Sequence, residues 1–385
     1  MTKSWLCTVL AASALGSVLG SIDPLKTITV FAPDNSFQAS FMARGATLTN
    51  FWVKDKQGNY RDIILGFDNH EDYVSDALGH PYFGPVVGRY ANRIRNGTFT
   101  IPISKDASGP NKYHVPENEN NNTDTLHGGL IGYDRRNWTV AAQTSNSVTF
   151  NLTDPDGDQG FPGAVQTSIT YELDEMGVFK ISMHATADKQ TPIMLSCHQY
   201  WNLEAYEETQ DLSGHYAQIM SSKVIGTDGL LIPNGSFVEA EGTPLDFHAA
   251  KSIGNTIPST ASYEYCGTEC TGFDNAFIYD KDVMNNGKTQ FSMWSINSGI
   301  RMDVVTNQPA LQMYTCNGIY NATLPIPRKG SQGGPDYHYQ DHSCVVIEQE
   351  SYIDAINNPE YNVNQIYGPG RDYVWEAAYT FSVME

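Results

Sequence analysis

The feature that most constrains this chain is its rhythm. Short runs of β-branched or alternating apolar residues are broken every few positions by Gly, Pro, Asn or Asp. Residues 27–31 (TITVF), 147–152 (SVTFNL), 167–173 (TSITYEL) and 178–185 (VFKISMHA) have this character, as half-buried strands do. Extended stretches with a 3.6-residue period are nearly absent. Many short strands with frequent turns predict an all-β fold, a sandwich or a barrel. Residues 117–124 (ENENNNTD), 154–163 (DPDGDQGFPG) and 328–340 (RKGSQGGPDYHYQ) are loops by composition. No linker and no repeat of fixed period interrupts the pattern, so residues 21–385 are expected to form one domain.

Charge narrows the partners. There are 23 Lys and Arg against 43 Asp and Glu, a formal charge of −20. A field of that sign repels phosphate backbones and excludes nucleic acid, and it also disfavours phosphorylated substrates. Neutral sugars are indifferent to it. Lys3 followed by an apolar run over residues 5–19 fits a signal peptide, with cleavage near Gly20. The run is too short to span a bilayer, and no later stretch is long and apolar enough to do so. Secretion is therefore expected, with residues 1–20 removed. Acceptor triplets for N-glycosylation start at Asn96, Asn121, Asn137, Asn151, Asn234 and Asn321, and they predict surface loops. Of the six cysteines, Cys7 would leave with the signal. The remaining five require at least one free thiol or an intermolecular bridge. Cys266 and Cys270 are the best local disulfide candidates, and no zinc-type spacing is present.

Polar residues set inside apolar or Gly-rich strings carry the chemical interest, because burying them without purpose is costly. Such strings are GRYANRI at 88–94, LHGG at 126–129, SCHQYWNL at 196–203, GFDN at 272–275, LQMY at 311–314 and VVIEQE at 345–350, followed by DAIN at 354–357. Taken singly, most have a structural explanation: a satisfied histidine, a surface ion pair for Arg93, a turn cap for Asp274. Glu348 differs. It follows three apolar residues, so its carboxylate is expected in a semi-buried place with raised pKa, as a general base near neutral pH requires.

Taken in order, these strings closely resemble the aldose 1-epimerase (galactose mutarotase) family from about residue 27 to the C-terminus. Residues 156–163 (DGDQGFPG), 232–235 (IPNG) and 243–247 (TPLDF) add to the match. The resemblance implies a large antiparallel β-sandwich with its site in an open cleft, acting on a free monosaccharide as a monomer or weak dimer. It implies His198 as general acid toward the ring oxygen and Glu348 as general base toward the anomeric hydroxyl. Asn92, Arg93, His127, Asp274 and Gln312 match sugar-binding positions. Ring opening by one acid and one base needs no metal, cofactor or covalent intermediate, so none is expected.

Two positions depart from the family pattern. Glu350 stands where the family usually has Gln, and Trp201 where it usually has Phe. Two acids two apart on one strand would share a face, and Trp201 is expected as an apolar neighbour of the acid. Three rival functions fit parts of the pattern: a hexose 6-phosphate epimerase on the same fold, a carbohydrate-binding protein without turnover, and a glycosidase pairing Asp274 with Glu348.

Overall fold

The computed structural model describes residues 23–105 and 107–384. The expected signal segment, with Cys7, lies outside them. Among the described residues, strands dominate and the two α-helices span only Ile253–Thr256 and Lys281–Asn285. No helix among the described residues is long and apolar enough to cross a membrane.

Three antiparallel sheets carry the architecture. The largest has nine strands, in the order Thr139–Gln143, Ser147–Asp154, Val165–Leu173, Val178–Ala187, Tyr373–Val383, Ile300–Thr306, Phe291–Ser295, His215–Ile219 and Lys251–Ser252. A six-stranded sheet runs Tyr200–Trp201, Val345–Glu350, Ala310–Tyr314, Asp274–Ile278, Lys223–Thr227 and Pro233–Glu239. Four strands between Ile28 and Asp62 form the third. The alternating runs lie in these strands, most extended by a residue or two at their ends. Their inward faces meet in one core to which each sheet contributes: Phe41 and Phe51, Tyr171 and Tyr379, Trp201 and Ile347. This is the sandwich that the strand-and-turn rhythm calls for, since a sheet with one apolar face is stable only when another layer covers it.

Several strings turn out to be scaffolding. Buried Arg89 donates to Asp154 Oδ2 at 2.7 Å and to the carbonyls of Pro162 and Gly163 at 3.0 and 2.9 Å, tying down the 154–163 turn. Gly128 adopts φ +90°, and a Cβ there would lie 2.2 Å from the carbonyl oxygen of Gly88. The 88–94 and 126–129 strings therefore touch, and only glycine permits the approach. Asp354 accepts from the Arg95 amide and from Asn357 Nδ2, closing the last turn after the six-residue strand.

The long polar stretch at 328–340 is a loop, but it is pinned rather than free. Lys329 is fully buried, with Nζ 2.6 Å from Asp62 Oδ2 and 2.9 Å from the Thr49 carbonyl. Cys266 is bonded to Cys270, and Cys316 to Cys344, a bridge with no local spacing to announce it. Cys197 is the free, buried thiol. All six acceptor asparagines are exposed. Asn121, Asn137 and Asn321 occupy turns or loops and Asn96 a single 3-10 turn, whereas Asn151 and Asn234 lie within strands Ser147–Asp154 and Pro233–Glu239. The expectation of loops fails for those two, because the outward face of a strand is as open to solvent as a loop.

Candidate active site

Strand alternation builds the floor. In Val345–Glu350, Val345 and Ile347 enter the main core, so Val346, Glu348 and Glu350 face the other way. The same rule sends Leu311 and Met313 inward and turns Gln312 and Tyr314 outward. The register then sets Ala276, Gln312 and Glu348 in one row across three strands. Asp274, Tyr314, Val346 and Tyr200 form the adjacent row. A cavity of about 400 Å³ opens on this face, lined in part by Asn92, Arg93, His127, His198, Asp274 and Glu348. That is room for a small ligand. Gln312 is 2% exposed and sits behind the lining, donating through Nε2 to Asp274 Oδ1. It holds Asp274 rather than reaching the cavity itself.

His198 follows the short strand Ser196–Cys197 and is fixed by its backbone. Its N–H donates to the Pro85 carbonyl at 2.9 Å, and its carbonyl accepts from Gly84 at 3.0 Å. The ring Nε2 lies 3.6 Å from Glu348 Oε1. Aromatic rings hold the imidazole: Tyr200 at 5.1 Å, Tyr82 at 5.7 Å and His127 at 5.1 Å between centroids. Trp201 is not one of them. It packs on Phe51, Tyr379 and Phe381 in the core. Positions 198 and 200 share a face and 201 points to the other, which corrects the expected neighbour of His198.

Asn92 and His127 brace each other. The Asn92 amide donates to His127 Nδ1 at 3.0 Å, and the His127 amide donates to the Asn92 carbonyl at 3.0 Å. Both residues, like Tyr82, have left-handed backbones, with φ between 51° and 55°. Such conformations persist where surrounding contacts enforce them, commonly at functional sites. With Nδ1 accepting, the neutral imidazole carries its proton on Nε2, making His127 a hydrogen-bond donor.

Arg93 is bidentate to Glu119, at 2.8 Å for both contacts, and lies 3.8 Å from Asp274 Oδ2. Burial pulls the guanidinium pKa down, but Glu119 and Asp274 more than offset it and keep the group charged. Neither Glu119 nor Tyr82 was singled out in the sequence. Glu119 sits in the Asn-rich 117–124 loop, where an acid carries no local mark, and Tyr82 lies in an unremarkable turn.

Burial dominates the titration of the central pair. It pushes His198 down to about 3, and it raises Glu348 well above the ordinary carboxylate range, with Glu350 and Asp274 adding to the rise. His127 is likewise pushed well below the usual imidazole value by burial and by the cationic forms of His198 and Arg93. Among the described residues, His127, His198 and Glu348 form the one group whose ligand atoms, all within 4.8 Å of one another, could hold a metal ion. The His127 tautomer argues against it. Its Nδ1 lone pair is committed to Asn92 and its Nε2 bears the proton, so only two of the three groups offer a lone pair.

The aldose 1-epimerase family profile matches residues 27–380. A probable aldose 1-epimerase of Arthroderma benhamiae is 40% identical, with 94% of this chain and 87% of that protein covered. The galactose mutarotase of Mus musculus is 34% identical, over 88% of this chain and 89% of its own length. Among solved structures, an aldose epimerase homologue from C. elegans superposes with a TM-score of 0.79 at 25% identity, covering 94% of this chain and 99% of that one. The galactose 1-epimerase of Lactobacillus acidophilus shares the fold, with a TM-score of 0.72 at 23% identity, over 94% of this chain and all of that one. On its fold, the profile match and these relatives, the chain belongs to the aldose 1-epimerase family.

Proposed function

We propose that this protein interconverts the α and β anomers of free aldohexoses such as glucose and galactose. Residues 21–385 act as one secreted catalytic domain after loss of residues 1–20. The observation that carries the reading is the 3.6 Å approach of His198 Nε2 to Glu348 Oε1 at the base of a sugar-sized cavity. Glu348 takes the proton from the anomeric O1 while His198 gives one to the ring oxygen O5. The C1–O5 electrons leave with O5 and a C1=O1 double bond forms. Rotation about C1–C2 presents the other face of the aldehyde, and reclosure returns both protons. Arg93 and the Nε2–H of His127 donate to sugar oxygens, and Asp274 accepts from hydroxyls.

The pair works because it holds one proton. A carboxylate with an imidazolium and a carboxylic acid with a neutral imidazole have the same proton count, and each is the competent start for one half of the cycle. Burial favours the neutral arrangement at rest, in line with the two opposed shifts. The pH dependence follows. As pH falls through about 3, His198 gains a second proton for the pair and no base remains. As pH rises through the elevated Glu348 value, the pair loses its last proton and no acid remains. The expected kcat/KM profile is a plateau through neutrality. An acid limb at 6.5, the ordinary histidine value, would contradict it.

Polarimetry of fresh α-glucose and α-galactose tests the function directly against the spontaneous rate. Glucose 6-phosphate separates the phosphate-sugar alternative. Among the described residues, Arg93 is the only Lys or Arg in the cavity lining, and it is already paired with Glu119, which leaves no free cation among them to collect a phosphate. Faster turnover of the phosphate than of glucose would overturn the assignment.

A further inference from the structure

Glu350 lies outside the cavity lining, yet it is bonded to a residue that lines it. It is fully buried, two residues beyond Glu348 on the same face of its strand. Alternation puts the two Cα atoms about 7 Å apart. Glu350 Oε1 accepts from Asn92 Nδ2 at 3.0 Å, and Asn92 Oδ1 accepts from Arg93 Nη1 at 3.3 Å. Both ends of the Asn92 amide are thus assigned, and its orientation is set by an acceptor on one side and a donor on the other. Glu350 Oε2 is buried without a partner, as is Glu348 Oε2. The ionisable groups facing Glu350 are Glu348, Asp274, Arg93, Tyr90 and Tyr373. Arg93, the one cation among them, is bidentate to Glu119. Two buried carboxyls and the partly exposed Asp274 therefore share what remains of one guanidinium's field.

We propose that Glu350 is a positioning residue for the reaction, one that fixes the Asn92 amide against Arg93 and makes the ionisation of Glu348 depend on its own. The two roles are separable. Holding Asn92 needs only an acceptor oxygen, which a glutamine supplies. Coupling to Glu348 needs a group that becomes negative. Burial pushes Glu350 up to about 8, so it is protonated at neutral pH and acquires charge in the alkaline range, where Glu348 must also lose its proton. A charge appearing about 7 Å from Glu348 delays that loss by about one to two pH units at an effective protein dielectric of about 20.

The proposal rests on Glu348 being the base, and the test keeps the two apart. The pH dependence of kcat/KM for galactose mutarotation is measured for wild type, Glu350→Gln and Glu350→Leu. In Glu350→Gln the alkaline limb is expected to move about one to two units lower, with KM nearly unchanged. In Glu350→Leu the same shift is expected with a raised KM, because Asn92 is released. A purely structural Glu350 would alter KM or melting temperature and leave the limb in place, and superimposable limbs for wild type and Glu350→Gln overturn the proposal. A wild type that accelerates mutarotation at no pH overturns the catalytic reading instead. Should Glu350→Gln fail to fold, infrared spectra of wild type and Glu350→Leu decide: a protonated-carboxyl band lost near pH 8 in the wild type and missing from Glu350→Leu is expected, and identical bands in the two proteins refute the assignment.

Discussion

Glu348→Gln lowers kcat for galactose mutarotation by a factor of about 10²–10⁴, with a far smaller change in KM. The substitution keeps the shape of the side chain and its place on the strand, so the cavity and its sugar contacts persist. It removes the carboxylate proposed to take the O1 proton, 3.6 Å from His198 Nε2. His198→Asn has an effect of the same order, and the double variant is little worse than either single one. In the proposed mechanism acid and base act in one exchange, so losing one strands the other. Optical-rotation decay after subtraction of the spontaneous rate measures each variant, and isothermal titration with galactose measures retained binding. Unchanged decay in either single variant would refute the mechanism, and a wild type that binds galactose yet never exceeds the spontaneous rate would leave a binding protein.

Lys329→Met destabilises the fold by about 3–5 kcal/mol, the cost of removing one partner from a buried ion pair. Asp62 is fully buried and accepts from the Phe51 amide, Asn50 Nδ2, Ser331 Oγ and Lys329 Nζ. Methionine replaces the volume of the lysine but not its charge, leaving an uncompensated carboxylate in the core. The double variant Lys329→Met with Asp62→Asn recovers part of the loss, since both ions are then removed together. Thermal melting of the four proteins measures this cycle. A single variant that melts with wild type would mean that the pair contributes nothing.

The fold was legible where the period-2 pattern was clean. Residues 167–173 and 178–185 lie within the strands Val165–Leu173 and Val178–Ala187. Polar residues in apolar strings were legible as a site through family resemblance, and the structure brings Asn92, Arg93, His127, His198, Asp274 and Glu348 to one cavity. What escaped depends on tertiary contact. Glu119 is one acid in a run of Asn and Glu, and nothing local says that it meets Arg93, 26 residues away. Lys329 reads as part of a solvated loop until Asp62 is seen beneath it. Trp201 was placed beside the acid because it is close in sequence, whereas alternation turns it to the core. Gln312 was expected to bind the sugar, but it lies behind the cavity lining and holds Asp274 instead.

The Cys316–Cys344 bond joins the end of the strand bearing Gln312 to the start of the strand bearing Glu348, across a sequence separation of 28. The excursion between them supplies Gly318, Ile319, Asn321, Leu324 and Ile326 to the cavity. Stapled at its base, that rim meets the sugar already in shape. A small neutral ring offers few contacts with which to organise an untethered loop, and the entropy of doing so would consume much of its affinity. With the bond in place the rim is tied down before a hexose arrives, and the weak attraction of the ring is left free to align it for ring opening.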